Sequence, residues 1–119
     1  HGFEHVNLLV AGDIRCPADI AKLLALGADA VVVSTAAVIA MGVWELRPGS
    51  DAGPQELLEM RFEPNVVSER LVQFLRVATA EILDFCRLTG KTDVHKLERS
   101  DLLTCSDEMA RVLGMSRLG

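Results

Sequence analysis

VNLLVAGDIRCPADIAKLLALGADAVVVSTAAVIAMG, residues 6–42, is the stretch that decides how this chain folds. It holds two β-prone apolar runs, residues 8–10 and 30–33; the first halts at Gly12 and the second at Ser34, Thr35 and Ala36. Between them Pro17 suits the first position of a helix. Ile20, Ala21, Leu23 and Leu24 form one apolar face, and Gly27 falls where a left-handed helix terminus favours glycine. The stretch therefore predicts a βαβ unit. Strands this apolar are expected to be buried on both faces, which requires a parallel sheet covered by helices, either a barrel or an open doubly wound sheet. Both strand ends are small or hydroxylic, so several main-chain N–H groups can approach one phosphate there.

Working outward, residues 43–64 read as a loop or insert, with Pro48, Gly49, Ser50, Gly53 and Pro54 marking its centre. Glu56, Glu59 and Glu63 surround Leu57, Leu58 and Met60, the pattern of a solvated surface helix. From residue 66 to 88, Val67, Leu71, Phe74, Leu75, Ala78, Ile82 and Phe85 recur at helical spacing, with Asn65 as the expected cap and Gly90 as the stop. Ser106 suits the cap of a last short helix, with Asp107 and Glu108 in its first turn and Gly114 past its end.

The order of these residues resembles the last two βα units of the FMN-binding (β/α)8 barrel of the glutamate synthase family. There strand seven ends in Gly-Gly-(Ile/Leu), the next helix ends in (Ala/Ile)-Leu-Gly-Ala-(Asp/Glu), and strand eight ends in Gly-Thr-(Gly/Ala) before a short helix ending in Ala-Leu-Gly. The matching residues are Gly12-Asp13-Ile14, Ala25-Leu26-Gly27-Ala28-Asp29, Ser34-Thr35-Ala36 and Ala40-Met41-Gly42. The tail is similar as well. Residues 65–90 look like the closing helix of that family, and Asp93, Val94, His95, Leu97, Arg99, Asp101 and Leu102 look like the segment that follows it. The strand–helix–strand match alone also fits other flavin barrels, such as relatives of inosine monophosphate dehydrogenase or 2-hydroxy-acid oxidase; the tail narrows it.

The resemblance implies an α/β fold, the C-terminal portion of a TIM (β/α)8 barrel, with residues 1–119 a single partial domain. Within it residues 6–42 would be strand seven, helix seven and strand eight, carrying the flavin phosphate half-site; residues 43–64 an insert; and residues 65–119 the closing helices. In barrels of this type the site lies at the C-terminal ends of the last strands, beside a short extra helix, expected at residues 36–41. Gly12 and Asp13 would form one lip and Ser34, Thr35 and Ala36 the other. The implied activity is an FMN-dependent oxidoreductase of the glutamate synthase type, which reductively aminates 2-oxoglutarate to glutamate using ammonia. No catalytic residue of that reaction is expected in this chain, so the segment is not expected to act alone.

Three departures from the family pattern bear on this. Asp13 replaces the second glycine of strand seven, and its carboxylate repels a phosphate unless it points away or pairs, with Arg15 the nearby cation. Ser34 replaces a glycine, a mild change. Glutamate synthases proper also carry, after strand eight, three closely spaced cysteines holding a three-iron cluster. The first of these positions is Val43, and residues 44–62 contain no cysteine, so no iron–sulfur cluster is expected. Cys16, Cys86 and Cys105 match no metal spacing. Cys86 reads as a small buried apolar residue, and Cys16 sits before a helix start, where thiol pKa values can fall. Two other readings therefore stand beside the enzyme: another FMN-barrel oxidoreductase, including an N-methylglutamate-synthase-like relative, or a non-catalytic barrel piece in which Gly12 and Ala36 are tight-turn and packing residues serving subunit assembly.

Length sets the limit. A TIM barrel takes about 250 residues, so these 119, with two of the eight strand–helix units, are expected to supply only about a quarter of one. A pair of parallel strands exposes edges and a sheet face, so the remainder of the barrel is expected from a parent chain, a separate subunit or a swapped copy. The absence of an initiating methionine fits a partial sequence. A net charge of −5 and the lack of a basic cluster argue against nucleic acid or an anionic membrane, and leave a small-molecule substrate. The apolar run at residues 30–43 is too interrupted to span a bilayer. Scattered cysteines without a visible leader fit a reducing cytoplasm. His95 lies in a polar connector and is expected to be structural.

Overall fold

A computed structural model describes residues 6–42 and 63–119. Its first half is β1 (Leu9–Ala11), α1 (Pro17–Ala25), β2 (Ala30–Val32) and the short α2 (Thr35–Ala40). β1 and β2 pair in parallel, with Leu9 opposite Ala30, Val10 opposite Val31 and Ala11 opposite Val32. The βαβ unit is therefore as expected, with β1 shifted by one residue from the apolar run.

Local chemistry explains each joint. Pro17 takes the first position of α1, where its missing N–H costs nothing. At the other end Gly27 has φ +107°, and the N–H of Ala28 donates to Leu23 C=O at 3.0 Å while that of Gly27 donates to Leu24 C=O at 3.0 Å. This paired closure satisfies the last carbonyls and turns the chain back toward the sheet. Asp29 then ties the strands together. Its carboxylate accepts from the Leu8 N–H at 2.7 Å, and its own N–H donates to Leu8 C=O at 2.9 Å.

The long helix α3 runs from Pro64 to Leu88. Its start corrects the sequence expectation: Glu63 is the residue before the helix and Asn65 lies inside its first turn. Proline tolerates the first helical position, so Pro64 sets the boundary one residue before the expected cap. Of the expected insert at residues 43–64 and its acidic patch, residues 43–62 lie outside the described residues, while Glu63 directly precedes α3 and Pro64 already belongs to it. α3 rests on α1 and α2, and the core forms where its last turns meet α1 and the tail. Ala21, Ala25, Cys86 and Leu97 are buried there, with Leu24, Phe85, Val94 and Leu102 packed around them. Cys86, 1% exposed, is the small apolar residue its position suggested.

The strands are not buried on both faces. Leu9 is 64% and Val32 45% exposed, because the described residues supply only two strands of this sheet and α3 lies against helices instead of against β2. The apolar run shows what the strands are suited to, a sheet covered on both faces.

The tail carries two 3₁₀ turns, Val94–Lys96 and Arg99–Asp101, and then a second small parallel pair, β3 (Leu103–Thr104) with β4 (Ser116–Arg117), joined by α4 (Asp107–Leu113). Ser106 caps α4 as expected, accepting from Met109 N–H at 3.3 Å, and Gly114 closes it with φ +63°. Strands of two residues leave no periodic signal, so this pair was not legible beforehand.

Lys91 fastens the tail to α3. Its ammonium pairs with Asp101 and with Glu98 at 2.8 Å, and its N–H donates to Cys86 C=O at 2.7 Å. Partial burial works against the charge of Lys91, but the hydrogen bonds to Asp101 and Glu98 outweigh it and raise its pKa. Lys91 in turn lowers both carboxylates, helped at Asp101 by the Glu98 N–H. The carboxylates contribute stability above their ordinary values of 3.8 and 4.5 and lose it as pH falls through their depressed folded values. Lys91 contributes below 10.5 and loses it as pH climbs through its raised value. Amide protection of residues 91–102 is thus expected to hold across that window and to fall on both sides. Lys91→Met should lower the plateau and remove the alkaline fall; an unchanged profile in amide exchange would refute the ion cluster as the clasp.

Candidate functional site

Two turns meet at the C-terminal ends of β1 and β2. The first, Gly12–Cys16, leaves β1 with two consecutive residues at positive φ, Gly12 at +115° and Asp13 at +47°. A left-handed residue other than glycine is uncommon, and aspartate is among the side chains that tolerate it. Asp13 therefore occupies a backbone position for which glycine is the unstrained choice. Around Gly12 there is open space: a Cβ there would meet nothing within 4 Å. Ile14, buried, anchors the turn.

The second turn, Ser34–Ala36, leads from β2 into α2. The first helical bond is Val38 N–H to Ser34 C=O at 3.0 Å, so the N–H groups of Thr35, Ala36 and Ala37 precede the ladder. Buried Ala36 lets the two turns approach. Between them is a cleft of about 170 Å³ lined by Asp13, Ile14, Arg15, Thr35, Ala36 and Ile39.

Of the five residues singled out from sequence, Asp13, Thr35 and Ala36 line this cleft together. Gly12 lies on the adjoining α1 side, in a groove with Asp13, Ile14, Asp19, Lys22 and Leu23, and Ser34 is the residue preceding α2. The short helix is Thr35–Ala40, one residue earlier than expected. Arg15 and Ile39 were missed as lining residues; Arg15 was visible as the nearest cation, whereas the position of Ile39 depends on how α2 turns over the cleft.

Arg15 does not pair with Asp13. Its N–H donates to Asp19 Oδ2 at 3.2 Å and its Nε to the same oxygen at 3.3 Å. The Arg15 N–H foremost, and its guanidinium after it, hold Asp19 below the usual carboxylate range against the opposing effect of burial. Lys22 Nζ lies 3.8 Å from the other oxygen. Asp19 thus braces the turn through Arg15, which also lines the cleft and is opposite in charge to Asp13. His95 is held locally, its N–H and Nδ1 both against Asp93 Oδ1 at 3.0 and 3.2 Å. Cys16 and Cys105 are exposed, and among the described residues no three His, Cys, Asp or Glu side chains converge as a metal site. No described helix is long and apolar enough to cross a membrane.

Comparison with known proteins bears on the whole chain. Residues 3–92 match the family model described as the conserved region in glutamate synthase. A glutamate synthase large subunit-like protein of Rhizobium meliloti is 37% identical over 88% of this chain and 29% of its own length. An archaeal glutamate synthase [NADPH] of Archaeoglobus fulgidus is 39% identical over 76% of this chain and 19% of its own length. That of Methanocaldococcus jannaschii is 28% identical over 98% of this chain and 25% of its own length. The chain thus spans less than a third of each of these relatives. No solved structure matches it. With the family model covering most of its length and the residues of both turns falling inside the matched region, the chain belongs to the glutamate synthase family.

Proposed function

We propose that this chain is the C-terminal portion of a (β/α)8 barrel in an FMN-dependent oxidoreductase of the glutamate synthase type, and that it grips the phosphate end of the flavin. The observation that carries this reading is the convergence of Asp13–Arg15 and Thr35–Ala36, in the turns after neighbouring parallel strands, on one small cleft, with Gly12 at the head of the first turn. The residues fit a phosphate. The N–H groups of Thr35 and Ala36 and the Thr35 hydroxyl are donors, Arg15 in the lining carries positive charge, and Gly12, beside the cleft, leaves the main chain of its turn open to close approach. The cleft takes the phosphate and leaves the rest of the cofactor to the parts of the barrel that precede this segment.

FMN, when bound, supplies hydride transfer, here for the reductive amination of 2-oxoglutarate with ammonia. This chain's residues bind and orient: the two turns fix one end of the cofactor, and Asp19 holds the Arg15 turn in shape. Residues that select the substrate lie outside the segment. The Asp13 carboxylate at the same lip favours a second reading, a barrel piece that serves assembly without holding flavin. Titration of the intact protein with FMN and with riboflavin separates the two. FMN is expected to bind about tenfold tighter or more, since only it carries the phosphate. Equal affinity would show that these turns do not grip it, and no affinity for either would favour the assembly reading.

A further inference from the structure

We infer that Arg70 is a positioning residue for the cofactor: from α3 it clamps the C-terminal end of α2 and so fixes the wall of the cleft formed by Thr35, Ala36 and Ile39; this rests on the phosphate reading above. The six residues of α2 make fewer than two turns, and a helix that short has no stability of its own in water. Its direction is therefore set by what it touches. At its end the Met41 N–H donates to Ala37 C=O and the Gly42 N–H to Ile39 C=O, each at 2.9 Å, and the Met41 carbonyl is left beyond the ladder. Arg70 Nη1 donates to that carbonyl at 3.5 Å. The bond is long, but the guanidinium also lies against Gly42, where a Cβ would collide with Nη1 and come within 3.4 Å of Cζ. Position 42 thus calls for glycine on two separate grounds: the left-handed turn that ends α2, with φ +80°, and the space the guanidinium takes. The free carbonyls at this end of a helix also favour a cation.

Arg70 acts on the cleft through α2 and not by touching what the cleft holds. It is not among the lining residues, and Met41 stands six residues beyond Thr35, about 9 Å along the helix. α2 rests on α3, and among the described residues the Arg70 bond to Met41 is the one hydrogen bond that ties the end of α2 to that helix. Without it α2 is free to swing about Ser34. Such a swing carries Thr35, Ala36 and Ile39 away from Asp13 and Arg15 on the opposite lip, and the donors no longer converge. Every atom of the clamp belongs to Met41, Gly42 and Arg70, all of them described residues.

The test titrates the intact protein with FMN and with riboflavin in the wild type, Arg70→Met, Gly42→Ala and the double variant, and follows amide exchange at Val38 and Met41 in the flavin-free protein. Arg70→Met is expected to weaken FMN about five- to tenfold, to leave riboflavin unchanged and to speed exchange at both amides by a similar factor. Gly42→Ala alters no charge but sets a methyl group where the guanidinium lies, and should also weaken FMN. Because both variants break the same contact, the double variant should weaken FMN by less than the product of the two single effects. A full product would overturn the inference. So would a loss in Arg70→Met with none in Gly42→Ala, which would make the guanidinium a distant charge only. An Arg70→Met variant that weakens FMN and riboflavin equally, marking a general structural role, or one that keeps the wild-type preference for FMN, would overturn it as well while leaving the phosphate grip in place. Wild-type protein that binds the two flavins equally would refute the phosphate grip itself, and the inference with it.

Discussion

Gly12→Val is expected to weaken FMN binding by the intact protein by about ten- to a hundredfold, the equivalent of about 1–3 kcal/mol. The cause is the backbone, not a collision: a Cβ at Gly12 meets nothing within 4 Å, but its φ of +115° lies where a β-branched residue is strongly disfavoured. Valine can relieve that strain only by rotating the turn, which moves the N–H groups away from the cleft. Because Gly12 leaves a solvent-facing end of β1, most of the loss should appear in cofactor affinity. Titration with FMN, alongside thermal unfolding of the cofactor-free protein, checks this. Wild-type affinity in the valine variant would mean that the turn does not hold the phosphate.

Asp13→Gly should act in the opposite direction and tighten FMN by roughly tenfold. Two effects combine at this position. The variant removes from the cleft a negative charge that Arg15, paired with Asp19, does not neutralise, and it replaces a left-handed aspartate by the residue that adopts φ near +47° without strain. The second effect is nearly neutral for stability: relief of about 1 kcal/mol of backbone strain is offset by the greater freedom glycine gives the unfolded chain, about 0.4–1 kcal/mol. Affinity should therefore change while the unfolding midpoint stays almost fixed, with riboflavin affinity unaltered. An Asp13→Asn variant separates the two effects, since it removes the charge and keeps a side chain tolerant of the left-handed region. If Asp13→Gly weakens FMN, the carboxylate is part of the grip and the charge argument is wrong.

The residues that made the site legible are those whose chemistry is local. Gly12, Pro17 and Gly27 announce a turn, a helix start and a helix stop through backbone conformation alone, so the βαβ unit could be read from residues 6–42. Ser106 and Gly114 did the same for α4. Arg15 shows where that reading ends. Its nearest carboxylate in the turn is Asp13, yet it pairs with Asp19 one helical turn away, because α1 brings that side chain back under the turn and gives it the Arg15 N–H as well. Position 13 was legible as a departure from the family pattern, but its left-handed φ appears only in the folded turn.

The sequence by itself determined the parallel strand–helix–strand order, the small-residue turns at both strand ends, the buried role of Cys86 and the family to which the chain belongs. Each depends on residues near one another in the chain or on a pattern carried along it. Only the tertiary structure decided that Asp13, Thr35 and Ala36 share one cleft, that Lys91 clasps the tail through Asp101 and Glu98, and that α3 lies on α1 and α2. These are contacts between elements far apart in sequence. Periodicity fixes which face of a helix or strand is apolar, but packing decides what that face meets.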